Sequence, residues 1–292
     1  MLTIAGRIFS RRFSHLSFWS LPNNPKTGRS ILVHDWKPKN NDFSLDIEIA
    51  RPEDEEIVFN FMINESIKHE SLCQSSNAQP KDTTILWREM ARRSLKTPTS
   101  ALIFKEGEMI GYCIASVLEV DHHKVVPEFQ ILPDYSSEIT KSHGATRIEQ
   151  SIIAVCDVMY EQVSNYVPKQ HKYVLCQELS GLLSEYRNNG ITLPVAQKLI
   201  EYYAQSGFMW TNALTTGRAM RRICENLGMK VVLEFPYSSF RDNGNVVFKN
   251  PKDGGQSCAL MIGNIQEMGY NMSKNINFGV VDFNEIISQT IL

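Results

Sequence analysis

The chain has 292 residues, 42% of them hydrophobic and 21% charged, and a formal net charge of −2. A length of that order holds one large domain or two small ones and buries roughly three quarters of the unfolded surface, so no disulfide staple is required. The near-neutral balance excludes a broad nucleic-acid surface, which needs clustered Lys and Arg, and no apolar run approaches the ~20 residues that span a bilayer.

The first 34 residues contain no Asp or Glu but carry Arg7, Arg11, Arg12, Lys26 and Arg29, with Leu2, Ile4, Ile8, Phe9 and Phe13 spaced as an apolar face. This is the make-up of a mitochondrial transit peptide, and Arg11-Arg12-Phe13-Ser14 resembles a matrix-protease site. A basic leader with no targeting role is the alternative. Either way residues 1–42 are expected outside the fold. The protein is expected inside the cell, in the cytoplasm, or in the mitochondrial matrix if residues 1–20 act as a presequence. Cys73, Cys113, Cys156, Cys176, Cys224 and Cys258 form no Cys-x-x-Cys pair and several lie in apolar runs. They read as buried free thiols in a reducing compartment.

Ile47-Glu48-Ile49-Ala50 alternates as a half-buried strand. Arg51-Pro52-Glu53-Asp54 then opens a helix with Pro early and acids in the first turn, and Ile57, Val58, Phe61, Met62 and Ile67 continue one apolar stripe. His69-Glu70-Ser71-Leu72 closes it, followed by a polar loop through Pro80. A second helix is predicted over residues 83–95. Residues 100–104 and 109–117 form a hairpin around Gly107. The segment 119–147, with Pro127 and Pro133, reads as a long loop. Helical spacing returns over residues 148–163, and residues 173–183 form a strand.

That strand runs into Arg187-Asn188-Asn189-Gly190-Ile191-Thr192, after which Val195, Leu199, Ile200 and Tyr203 recur at helical spacing. A strand, a tight turn and a helix start leave main-chain N–H groups unpaired at the positive end of the helix dipole. Such a site suits a phosphate or pyrophosphate. Thr192 is the expected N-cap, with Pro194 in the first turn. No Gly-Lys-Ser/Thr follows, which argues against a P-loop. Downstream come a strand at 208–214, a helix at 215–227 closed by Gly228, a strand at 231–235, the turn Asp242-Asn243-Gly244-Asn245, and a last strand at 256–263. Alternating strands and helices give an α/β domain with a mixed sheet covered by helices, over residues 43–268, and a tail at 269–292. The adjacent His122 and His123 point apart on an extended chain, and no partner spacing supports a metal.

Three stretches carry a family resemblance: Lys68-His69-Glu70-Ser71-Leu72, Tyr186-Arg187-Asn188-Asn189-Gly190-Ile191, and Phe235-Pro236-Tyr237 before Val246-Val247-Phe248. Their order, with Leu227-Gly228-Met229 closing a helix, resembles the GNAT superfamily of acetyl-CoA-dependent N-acetyltransferases, and within it the insect and nematode arylalkylamine N-acetyltransferase-like branch. The resemblance spans residues 46–265. It implies a mostly antiparallel central sheet with helices on both faces. It also implies acetyl-CoA as acyl donor, its pyrophosphate held by the main chain of Arg187, Asn188, Asn189, Gly190, Ile191 and Thr192, and its thioester arm held near Leu182. The acceptor is then a primary amine of the dopamine, tyramine or serotonin kind, attacking directly in a ternary complex.

By the same resemblance Glu70 is the general base, and Thr216 falls on one of two hydroxyl positions that supply the proton leaving with the thiolate; Met220 falls on the other, so that role is vacant or filled by Tyr237 or water. On the residues alone, Glu70 also reads as a solvated helix-end charge and Thr216 as a helix cap. The sequence departs from the family at Thr192, where a small residue is usual, at Leu183, and at Met220, where a Ser is expected and a thioether has no proton to give. These departures keep a second reading open: a GNAT-fold protein that binds acyl-CoA or a partner with weak catalysis.

Overall fold

The computed structural model describes residues 18–273. The Arg cluster at positions 7–12, the proposed protease site and most of the C-terminal tail lie outside them. Eight strands form one sheet in the order β1-β2-β3-β4-β5-β6-β10-β7, where β1 is Ile31–Trp36, β2 Leu45–Ile49, β3 Ala101–Lys105, β4 Glu108–Glu119, β5 Tyr173–Leu182, β6 Trp210–Thr215, β7 Lys230–Pro236 and β10 Ser257–Asn264. A separate two-stranded ribbon joins β8 (Arg241–Asp242) to β9 (Asn245–Val246). Every pairing in the large sheet is antiparallel except β5 with β6.

Side chains on β4 alternate between the faces, as a pleated strand requires. Tyr112 and Ile114 join a core with α1 (Glu55–Asn64), α3 (Thr84–Ser94) and α5 (Arg147–Tyr160), while Cys113, Ala115 and Val117 join a second core with α7 (Thr192–Gln205) and α8 (Arg218–Asn226). Helix α9 (Ile265–Ser273) packs against α7 on that second face. The short helices α2 (Ser71–Ser75), α4 (Ser136–Lys141) and α6 (Val163–Tyr166) complete the chain. Among the described residues no helix is long and apolar enough to cross a membrane.

Several expectations are corrected. Residues 31–36, expected outside the fold, form edge strand β1, registered on β2 through Ile31↔Glu48 and Trp36↔Leu45. Bulges interrupt that pairing, which is why no clean alternation announces it. Residues 70–75 are not a helix end followed by loop: Glu70 opens α2. The loop at 119–147 contains α4. Helix α7 starts at Thr192 with Ile191 as its N-cap residue, so Thr192 is not the cap. Thr215 belongs to β6, and α8 begins only after Gly217.

Candidate active site

Strands β5 and β6 pair only over Leu175↔Thr211, Cys176↔Asn212 and Gln177↔Ala213. Beyond Gln177 they part, because a bulge opposite Ile114 and Ala115 displaces Glu178 and turns β5 away with β4. In the β4–β5 ladder Leu183 N–H donates to the Ile110 carbonyl at 2.9 Å. The alternation of an antiparallel pair then directs the N–H and C=O of Ser180 and Leu182 away from β4, into the gap. Leu182 C=O accepts Arg187 Nε at 2.9 Å, which pins the turn to the strand end.

A cavity of about 740 Å³ runs through this gap from one helical layer to the other. On the α7 and α8 side its wall includes Thr192, Ala196, Ile200, Met220 and Ile223; on the α3 and α5 side it includes Leu86, Trp87, Met90, Ile152 and Ile153. Leu179 and Ser180 line the throat, and Leu182, the position expected for a thioester arm, does not. Trp87 is thus a cavity wall as well as a core aromatic, and Trp210 does not reach the cavity.

In the turn before α7, Asn188 and Gly190 adopt φ of 62° and 68°. Both values lie in the left-handed region, which Asn tolerates and Gly adopts freely. The turn leaves the N–H groups of residues 188–193 with no acceptor among the described residues; the first helical bond is Val195 N–H to the Ile191 carbonyl at 3.2 Å. Asn189 is tied down instead by its side chain, which donates to Glu185 C=O at 3.2 Å, and by its carbonyl, which accepts from Asn41 Nδ2 at 3.2 Å. A row of free amides at a helix start is an anion cradle.

Glu70 and Thr216, far apart in sequence, meet at the throat, with Tyr237 packed behind Thr216. Glu70 is the N-cap of α2: Oε2 accepts the Cys73 N–H at 2.7 Å, and Oε1 accepts the Thr216 hydroxyl at 2.7 Å. Tyr237 Oη donates to the Thr216 carbonyl at 2.5 Å and does not line the cavity. Burial pushes this phenol far above its usual range, with Cys258 and Glu70 adding to the shift. It stays protonated and holds the Thr216 main chain from behind the cavity wall. Gly217 makes the arrangement possible: a Cβ there would lie 2.7 Å from Ser71 Oγ and 2.8 Å from Asp253 Oδ2. Asp253 Oδ2 also accepts the Arg218 N–H at 2.7 Å, capping α8 against the start of α2.

The first-face end of the cavity holds charge that sequence reasoning missed. Arg93 on α3 makes a two-pronged pair with Glu178, Nε to Oε1 and Nη2 to Oε2 both at 2.7 Å, and Ser116 Oγ donates to Glu178 Oε1 at 2.6 Å. The bulge is what carries Glu178 to this position. Asp157, on α5, also lines the cavity. Burial pushes its carboxyl up to about 6, against the opposing pull of His143 and Arg93. A carboxyl raised in this way contributes its stability in the protonated state, fully below about pH 4, and loses it as pH rises through 6. Asp157→Asn is therefore expected to raise stability at pH 8 by about 2 kcal/mol, with the gain fading toward pH 4. Urea melts of both proteins across that range check it.

By sequence, the chain matches no known protein-family profile. By structure it is similar to the putative arylalkylamine N-acetyltransferase 7 of the yellow fever mosquito Aedes aegypti, at 16% identity and a TM-score of 0.59 over 81% of this chain and 95% of that one. It is also similar to arylalkylamine N-acetyltransferase 2 of Aedes aegypti, at 17% identity and a TM-score of 0.61 over 77% of this chain and 100% of that one. The polyamine N-acetyltransferase of Drosophila melanogaster, an enzyme that forms N-acetylagmatine, aligns at 10% identity and a TM-score of 0.59 over 76% of this chain and 100% of that one. The fold is that of the GNAT acetyltransferases. The expected GNAT sheet, mostly antiparallel with helices on both faces, is the one observed, and the parted parallel pair β5–β6 is its central feature.

Proposed function

We propose that this protein is an acetyl-CoA-dependent N-acetyltransferase of primary amines, and that its acceptor is an arylalkylamine of the dopamine, tyramine or serotonin kind. The observation that carries the reading is the Glu70–Thr216 hydrogen bond at the throat of a cavity that crosses the sheet. Of residues 188–193, whose amides are free, Thr192 lies on the cavity wall on the α7 side, and carboxylates line the α3 and α5 side. The amides suit the pyrophosphate of acetyl-CoA. Glu70, Glu89, Glu119, Asp157, Glu161 and Glu178 against Arg93, Lys124 and Lys141 give the lining a negative balance, which favours a cationic acceptor. Trp87 and Met90 offer an apolar wall for an aromatic ring.

An alkylammonium with a pKa of roughly 10 must lose a proton before it attacks. Glu70 takes that proton, directly or through one water, and the amine nitrogen then bonds to the thioester carbon. The main-chain N–H of Ser180, on the parted β5 edge that lines the throat, stabilises the oxyanion. The C–S bond breaks, the amide forms, and the thiolate takes a proton delivered along Thr216 Oγ, which Glu70 can reprotonate. Tyr237 holds the Thr216 main chain. Thr216→Val is expected to lower kcat by about 10- to 100-fold, and Thr216→Ser to restore most of it, since only the hydroxyl is required. Single-turnover thiol release measures both.

Met220 on the cavity wall favours a second reading, an acyl-CoA-binding protein with weak catalysis. Calorimetric titration with acetyl-CoA, followed by thiol release over an amine panel, separates the two. Binding with turnover that depends on Glu70 supports the enzyme; binding without turnover supports the second reading. Absence of both heat and thermal shift removes them together.

A further inference from the structure

We infer that Asp157 reads the far end of the acceptor, accepting a hydrogen bond from a hydroxyl carried on its ring; this rests on the acyl-transfer reading above. The carboxylates of the cavity wall are otherwise engaged. Glu178 holds Arg93, Glu161 lies 3.5 Å from Lys124, Glu119 lies 2.8 Å from Lys172, Glu89 holds His143 at 2.9 Å, and Glu70 takes Thr216 and the Cys73 N–H. Asp157 is the exception: its main-chain carbonyl accepts from the Glu161 N–H, but its carboxylate has no hydrogen-bond or ion-pair partner among the described residues. An acceptor without a donor, held in a partly desolvated wall, is costly to keep and is repaired by a ligand that brings the donor.

The chemistry of that donor follows from what surrounds it. Between the throat and Asp157 the wall is apolar, with Leu86, Trp87, Met90, Ile153 and Cys156, which suits a ring and its alkyl arm. The charges felt most strongly by Asp157 are the His143 imidazole and the Arg93 guanidinium. Arg93 and His143 are already matched by Glu178 and Glu89, so a neutral hydroxyl brings Asp157 its missing donor without adding charge at this end. The amine end of the acceptor then lies at Glu70 and the hydroxyl end at Asp157, with the ring against Trp87.

The test compares kcat/KM for tyramine, 2-phenylethylamine and 1,5-diaminopentane in the parent, Asp157→Asn and Asp157→Leu, with thermal melts to confirm folding. In the parent, tyramine is expected to exceed 2-phenylethylamine by about 10- to 100-fold, the range of a hydrogen bond to a charged group. Asp157→Leu should collapse that ratio to within about threefold, mainly through tyramine, while Asp157→Asn, which keeps an accepting oxygen, should retain part of it. Equal parent efficiencies, or a ratio unmoved in Asp157→Leu, overturn the inference. So does a parent that prefers the diamine and loses that preference in Asp157→Asn, since that marks a second cation. A parent that binds acetyl-CoA but acetylates none of the three amines defeats the acyl-transfer reading first.

Discussion

Glu70→Gln is expected to lower kcat for amine acetylation by about 100- to 10,000-fold, the range associated with loss of a positioned general base. The amide keeps an oxygen for the Cys73 N–H, so the start of α2 persists, and an NH2 replaces the oxygen that accepts the Thr216 hydroxyl. Acetyl-CoA affinity should stay within about threefold, because the free amides at residues 188–193 lie on the other face of the sheet. Pre-steady-state thiol release and calorimetry give the two numbers. Glu70→Ala is the less informative variant, since it also removes the helix cap, at about 1 kcal/mol. A Glu70→Gln protein with parental turnover would leave the base to another group or to solvent.

Arg93→Leu is expected to cost about 3–5 kcal/mol of stability, the usual consequence of stripping one partner from a buried ion pair. Glu178 is 3% exposed at its side chain and keeps only the Ser116 hydroxyl once the guanidinium is gone. For a domain of this size that loss corresponds to a fall in melting temperature on the order of 10 °C. The double variant Arg93→Leu with Glu178→Gln should recover most of it, because the uncompensated charge is then absent. Thermal and urea melts of the four proteins of this cycle give the coupling. Equal losses in the single and double variants would place the cost in lost packing of the Arg93 stem rather than in charge.

Much of the strand order was legible because β2, β4, β5 and β7 carry their own alternation or bounding turns, and because Gly190 and Gly228 mark the turn before α7 and the end of α8. Edge strand β1 was not, since bulges break its register. Helix α2 was not, because five residues cannot hold a helix without tertiary support; here Glu70 caps it and Asp253 accepts from Ser71 Oγ at 3.4 Å. At the site, Glu70 and Thr216 were named from separate motifs 146 positions apart, but their contact is a product of the fold. Arg93 and Glu178, 85 positions apart, belong to no motif, and the bulge that presents Glu178 has no Gly or Pro to announce it. Asp157 reads in sequence as one polar residue of an amphipathic helix; only its burial beside the cavity distinguishes it.

The parted strands have a consequence for traffic. Reactants that enter the sheet from opposite sides need not pass one another, and each product can retreat by the route its precursor took. For the proposed reaction, spent CoA then competes with acetyl-CoA for one vestibule and leaves the amine's doorway clear. Steady-state inhibition by CoA should be competitive toward the acyl donor and noncompetitive toward the amine, the pattern of a sieve with two doors rather than a pocket with one.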